Sequence, residues 1–295
     1  MKSGVVIINK EEGMTSHTVV ARVKRLFGAS KAGHTGTLDP MATGVLPVLL
    51  ERGVKASEFM LTNDKYYRAI LTLGITTDTE DVTGEVLTRC TDIPSEEAVL
   101  LAAASFVGKY LQTPPMYSAL KVGGKKLCDL AREGKTVDRE PREVEIYSLG
   151  CERLSDTDYT LEVHCSKGTY IRTLCADIGA RLGCGGTMKA LQRSCASGFS
   201  LEDGRTLSEL EAMSPEEREE RIFPVEYIFR DKKRLVLPDF FARLARAGQQ
   251  IYLKKINEKI PVGELVRLSD RDGFFAVGEV MSFDDGDAIK PIRQF

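Results

Sequence analysis

The sequence predicts an α+β protein: a mixed, mainly antiparallel sheet flanked by helices, followed by a small β-rich C-terminal domain. Three observations carry that prediction. Strand-like and helix-like segments interleave without a regular βα repeat, which argues against a doubly wound parallel sheet. A break falls near residues 224–238, where Pro224, the charged run 230–234 and Pro238 interrupt the pattern. Beyond it, two short strand-like segments flank an Asp270-Arg271-Asp272-Gly273 turn. A chain of 295 residues suffices for one large core and one small one, expected at 1–230 and 231–295.

The elements follow in order. Residues 5–8 are a continuous apolar run, and 5–9 read as a buried strand. Thr15 or Ser16 is placed to cap a helix whose apolar face is Val19, Val20, Val23, Leu26 and Phe27. A glycine-rich loop, 28–44, leads into an apolar strand at 45–50. Residues 66–73 alternate as a strand, and Thr83-Gly84 marks a turn into 85–88. A helix is expected over 95–106, with Ser95 as its cap but no acid at Ala98 to close the capping box. The Gly123-Gly124 pair predicts a hairpin over 119–125, followed by a brief helix at 127–132. Strands at 143–149 and 159–165 precede a helix at 170–182 that Gly183 closes. The acidic stretch 209–220 reads as a solvated helix. In the tail, a helix at 239–247 precedes strands at 263–268 and 274–280.

Composition excludes several classes. No run approaches eighteen apolar residues, so a membrane span is not expected, and the N-terminal apolar stretch is too short for a secretory signal. A cytoplasmic protein is the expectation. The seven cysteines are odd in number and none forms a Cys-x-x-Cys pair, which predicts reduced, mostly buried thiols. With three histidines at no ligand-like spacing, no metal site is expected. There is no phosphate loop and no dinucleotide fingerprint, so no cofactor is expected either.

The net charge of −2 does not by itself suggest nucleic acid, since phosphate binding draws on basic surfaces. Any RNA face must be local. Its candidates are Arg22, Lys24, Arg25 and Lys31, then Lys121, Lys125 and Lys126, then Arg139, Arg142, Lys167, Arg181, Lys189 and Arg193.

The most informative stretch is residues 33–44, Gly-His-Thr-Gly-Thr-Leu-Asp-Pro-Met-Ala-Thr-Gly. Three glycines permit tight turns or close approach to a ligand. Within it sits a single carboxylate, Asp39, biased toward extended backbone by Pro40. This run resembles the signature of the TruB family of tRNA pseudouridine synthases. Further blocks are similar to that family's in the same order: Lys65-Tyr66-Tyr67-Arg68 with 73–79, Pro115-Met116-Tyr117-Ser118-Ala119-Leu120-Lys121 with 124–127, and 165–174, which contains Lys167-Gly168-Thr169-Tyr170-Ile171-Arg172. The resemblance covers roughly residues 3–200.

That resemblance implies a pseudouridine synthase fold and isomerisation of uridine at position 55 in the TψC loop of tRNA. The N1–C1′ bond breaks, the base turns, and C5 joins C1′, with nothing added overall and no cofactor required. It places the catalytic carboxylate on Asp39, as a nucleophile, as a stabiliser of positive charge on the sugar, or as the base that opens a glycal route. Arg172 matches the arginine beside that acid and would hold its pKa down, gripping both carboxylate oxygens. Tyr67 matches the tyrosine that stacks on the target base, with neighbouring Tyr66 the better fit to a core position. Tyr170 and Leu191 match pocket walls. His34 matches the residue that fills space left by flipped nucleotides. Lys10 matches a basic position that contacts either phosphate or the loop.

The tail resembles a small PUA-type RNA-binding domain, and the chain is expected to act as a monomer. Residues 121–136 are the expected thumb-like loop closing on RNA. Two departures from the family pattern border the signature loop: Glu11 stands where proline is usual, and residues 51–55 read Glu-Arg-Gly-Val-Lys. Two other readings fit parts of the sequence. One is a tRNA-folding chaperone acting by binding; the other is a carboxylate-dependent hydrolase pairing Asp39 with Asp78, Glu80 or Asp81.

Overall fold

The computed structural model describes residues 2–61, 64–118 and 120–295. The chain opens with β1 (Gly4–Lys10), α1 (Ser16–Leu26), β2 (Ala32–His34), β3 (Thr43–Leu50) and β4 (Lys65–Leu73). Then come α2 (Glu96–Ala104), β5 (Gly108–Gln112), β6 (Arg142–Arg153), β7 (Asp158–Cys165), α3 (Ile171–Leu182) and β8 (Gly186–Ala196). Among the described residues these strands, with two short pieces at Phe199–Ser200 and Phe223–Pro224, make a ten-stranded sheet. Its order runs Phe223–Pro224, β1, β3, β8, β4, β7, β6, β5. Every pairing is antiparallel except β3 with β8.

That exception matters. The parallel contact covers only Gln192 opposite Thr43 and Arg193 opposite Gly44. Gly44 has φ +102°, and a Cβ there would lie 2.3 Å from the Arg193 carbonyl oxygen, so no other residue fits the seam. The signature loop therefore ends where β3 meets β8, in the middle of the sheet.

Two apolar cores flank this seam. One places Val6, Ile8, Leu46 and Val48 against Val19 and Val23 of α1. The other gathers Leu71, Leu161 and Val163 with Leu174 and Ile178 of α3 and Val99 of α2. Leu191 packs against both. Burying both faces of β1 and β3 explains their nearly continuous apolar runs.

Local expectations mostly match. Thr15 caps α1, accepting from the Thr18 amide at 3.1 Å, and Ser95 caps α2. Gly183 ends α3 in the left-handed conformation. The helix from Leu127 to Arg132 is present, and the hairpin pairs Lys121–Val122 with Lys125–Lys126; its predicted start at Ala119 lies outside the described residues.

Three readings are corrected. Residues 209–220 are not one solvated helix but parts of two, Leu207–Ala212 and Pro215–Glu220, each with a capping box. Pro215 disfavours helical backbone at Ser214, and Leu207 and Leu210 are buried against α1. The central strand β8 and the edge strand β5 were not foreseen. The Gly-Thr-Met-Lys-Ala-Leu-Gln-Arg-Ser-Cys-Ala sequence of β8 lacks clean alternation because it bulges against β4 at Met188–Ala190 and Arg193–Cys195. Three of the seven cysteines (165, 175 and 184) are buried, while the other four are only partly so.

In the tail, β9 (Lys233–Val236), α4 (Asp239–Arg246), β10 (Ile251–Tyr252), β11 (Leu265–Asp270), β12 (Gly273–Phe283) and β13 (Gly286–Gln294) form a separate five-stranded sheet with its own core. The predicted helix and hairpin are α4, β11 and β12, while β9, β10 and β13 complete the sheet. This unit docks on the first. Phe229, Phe274 and Phe295 cluster with Ala56, Val225 and Val277, and the Lys55 Nζ donates to the Gln294 carbonyl at 3.0 Å.

Candidate active site

Three elements converge on Asp39, and each holds its loop by a different bond. From α1, Ser16 is fully buried, donating to the Leu38 carbonyl and accepting from the Leu38 amide, both at 2.9 Å. From the end of β1, Lys10 is 1% exposed and its ammonium donates to the carbonyls of Glu11 (2.9 Å), Pro40 (3.1 Å) and Ala42 (2.6 Å). All three of its N–H groups are thus spent on backbone, so of the two roles foreseen for Lys10, phosphate or loop, the structure shows the loop. The Ala42 amide donates to the Asp39 carbonyl at 3.0 Å, closing a turn around Pro40.

From α3, Arg172 reaches Asp39. Its Nε lies 3.1 Å from Asp39 Oδ2, and its side chain is 6% exposed against 38% for Asp39. The carboxylate is thus gripped on one side and open to a substrate on the other. The grip is not bidentate. Nη1 donates to the Thr79 carbonyl (3.0 Å) and lies 3.6 Å from Asp81 Oδ2, and Nη2 donates to the Tyr117 carbonyl at 2.8 Å.

Asp81 is the functional residue the sequence reading undervalued. It is buried, accepting at Oδ1 from Thr79 Oγ1 (2.8 Å) and the Thr83 amide (3.0 Å). Its acidic neighbours are also engaged. Glu80 accepts from Thr173 and Asp78 from the Glu85 amide, so this turn is built to hold Arg172 rather than to solvate it. The available signal was the placing of Thr79 and Thr83 two residues to either side of Asp81.

The charges compete at Asp39. Burial raises its pKa above the ordinary carboxylate value, Arg172 opposes, Asp81 adds to the rise, and Lys10 opposes. The expectation that a cation would set the direction is corrected: the balance is upward because burial outweighs Arg172, with Asp81 adding to the rise. Lys10 is lowered to about 8, first by burial, with Asp39 and Glu12 opposing. As pH rises through about 8, Lys10 loses its charge and one donor to the Asp39 loop. Turnover is expected to fall over that range, and Lys10→Arg should move this alkaline limb upward in a kcat–pH profile.

The remaining candidates are arranged around this centre. Tyr67 on β4 is 8% exposed and faces the core, where burial raises its pKa and the Arg193 guanidinium opposes. Tyr66, read as the core partner, is instead on the outer face, 42% exposed and stacked on His164 at 4.0 Å. Adjacent strand residues point to opposite faces, which settles the pair. Tyr170 caps α3; Gln112 clamps its backbone from both sides, at 2.8 and 3.0 Å. His34 stands edge-on to His17 with ring centroids 5.5 Å apart, and its buried Nδ1 has no partner among the described residues. Burial, His17 and Arg193 lower its pKa, so it is neutral at pH 7.

The basic face is thinner than the sequence implied. Arg193 is 1% exposed and belongs to the interior. Arg22 pairs with Glu211 and Lys189 with Asp158. Lys24, Arg25, Lys31, Lys121, Lys125, Arg142 and Lys167 remain exposed.

Comparison with known proteins identifies the family. The model of the TruB family pseudouridylate synthase N-terminal domain matches residues 24–171, and that of the tRNA pseudouridylate synthase B C-terminal domain matches 172–230. The chain belongs to the TruB family. The tRNA pseudouridine synthase B of Alkaliphilus oremlandii is 42% identical over 96% of this chain and 94% of its own length. That of Francisella philomiragia is 41% identical over 97% and 93%. Among solved structures, the Cbf5–Nop10–Gar1 complex contains a chain superposing with a TM-score of 0.74 and 26% identity, over 99% of this chain and 84% of that one. Like these TruB relatives, the protein isomerises uridine to pseudouridine in tRNA. The hydrolase reading is set aside accordingly. None of the helices among the described residues is long and apolar enough to cross a membrane.

Proposed function

We propose that the target is uridine 55 in the TψC loop and that Asp39 is the carboxylate acting at C1′. The observation that carries this reading is the Asp39–Arg172 contact at 3.1 Å, on a loop pinned from two sides, with the carboxylate still open. Preorganised charge of this kind is what a sugar-centred reaction requires. Tyr67 meets the extruded base, Tyr170 and Leu191 wall its pocket, and neutral His34 fills the space the flipped nucleotides leave. Residues 231–295 act as a small PUA-like RNA-binding domain after a catalytic domain at 1–230. The protein works as a cytoplasmic monomer, and residues 121–136 close on the RNA.

Forming the C5–C1′ bond expels the C5 hydrogen, so tritium release from [5-³H]uridine-labelled tRNA reports the reaction directly. One tritium per tRNA is expected from the wild-type transcript, and none from a transcript carrying cytidine at position 55. Release from the altered transcript at the wild-type rate would place the target elsewhere.

A further inference from the structure

Beneath the Asp39 loop lies a cation that the mechanism above does not use. Arg193 on β8 is 1% exposed, among the largest fully buried side chains of the protein. Among the described residues no carboxylate pairs with it. An isolated buried charge is unfavourable unless its donors are well used, and here they are. Nε donates to the Val45 carbonyl at 2.8 Å and Nη2 to the Gly36 carbonyl at 2.9 Å, so one planar group ties both ends of the signature loop. Gly36 has φ +78°, and a Cβ there would stand 3.1 Å from Nη1, so the loop backbone is moulded on the guanidinium. Tyr67 stands directly opposite Arg193 in the pairing of β4 with β8, so the two buried side chains share one face of the sheet.

The consequence follows from donor chemistry. A guanidinium has five N–H donors and no acceptor. Tyr67 can therefore only accept from it, and the phenolic proton is left for another partner. We propose that Arg193 is the positioning residue of this site: it seats the Asp39 loop through the Gly36 and Val45 carbonyls and turns the Tyr67 hydroxyl so that its proton faces the substrate base. Arg193 touches no substrate. It couples the acid that works on the sugar to the ring that meets the base, through a single rigid fork. Lysine keeps the charge but not this geometry. The inference rests on the reading that Tyr67 contacts the target base.

A double-mutant cycle tests it. Single-turnover pseudouridine formation and tRNA affinity are measured for wild type, Arg193→Lys, Tyr67→Phe and the double variant, with thermal melting to confirm folding. Arg193→Lys is expected to slow the chemical step about 10²-fold, the scale on which small misplacements act, with tRNA affinity within about threefold. The double variant should be no slower than the slower single one, because each change removes an orientation the other has already lost. Rate losses that multiply would show that Arg193 and Tyr67 act independently and would overturn the proposal, as would an Arg193→Lys enzyme of wild-type rate beside a slow Tyr67→Phe. A Tyr67→Phe enzyme of wild-type rate would instead remove the underlying reading of Tyr67, and the proposal with it. If Arg193→Lys does not fold, Arg193→Gln keeps a donor amide and takes its place in the cycle. Failure of both to fold would make Arg193 a folding residue only and refute the positioning role.

Discussion

Asp39→Asn is expected to abolish pseudouridine formation, by at least about 10⁴-fold in single-turnover rate, while tRNA binding stays within about threefold of wild type. The amide has nearly the shape of the carboxylate and can still meet Arg172, but it can neither attack C1′, stabilise positive charge there, nor take a proton. Retained binding with lost chemistry separates the enzyme from a protein that acts only by folding tRNA. A variant that still released tritium at even a tenth of the wild-type rate would remove Asp39 from the reaction. Stability should move the other way. Because burial raises the Asp39 pKa, the folded chain holds this proton more tightly than the unfolded chain. Above the ordinary carboxylate range the charge therefore costs stability, increasingly as pH rises through the raised value. Asn carries no such charge, so the melting temperature at pH 7 is expected at or above that of wild type.

Arg172→Met is expected to be nearly as severe for turnover, about 10³-fold, and, unlike Asp39→Asn, to destabilise the fold. The guanidinium sits between Asp39 and Asp81, the latter buried, and serves the Thr79 and Tyr117 carbonyls besides. Removing it leaves a buried acid without its counter-charge and two carbonyls without their donor, a loss of about 3–5 kcal/mol. The Asp39 pKa loses its largest opposing influence and rises further, so the acid limb of the rate–pH profile should shift to higher pH. Arg172→Lys restores the charge but cannot serve Asp39, Thr79 and Tyr117 together, and a partial rescue of the pH shift without rescue of rate is expected. Chemical denaturation and a pH–rate profile on the same two variants measure both effects. An unchanged acid limb in Arg172→Met would show that the pair does not tune Asp39.

Much of this was legible before any coordinates. The apolar run at 5–8, the helix capped at Thr15, and the strand behind the signature loop are local matters of periodicity and capping, and sequence carries those directly. The loop's single carboxylate, locked before Pro40, could be picked out for the same reason. What sequence left open were quantities that depend on neighbours far along the chain. Strand β8 was missed because its pattern is set by two bulges and by burial between β3 and β4, not by its own alternation. Tyr67 is covered and Tyr66 exposed, which could not be read locally because only the sheet decides which face is covered. Arg193 read as an RNA-facing cation and Lys10 as a contact to either phosphate or the loop, yet both lie inside, with their donors spent on loop carbonyls.

Sequence alone determined the type of chemistry and singled out one candidate carboxylate for it, because a reacting group must be a particular side chain in a particular local turn. Tertiary structure alone decided the electrostatic state of that group. Whether Asp39 is pushed up or down depends on how much water reaches it and on whether Asp81 shares its arginine, and Asp81 is forty-two positions away along the chain. Distance in space sets Coulomb energy, and sequence does not contain it.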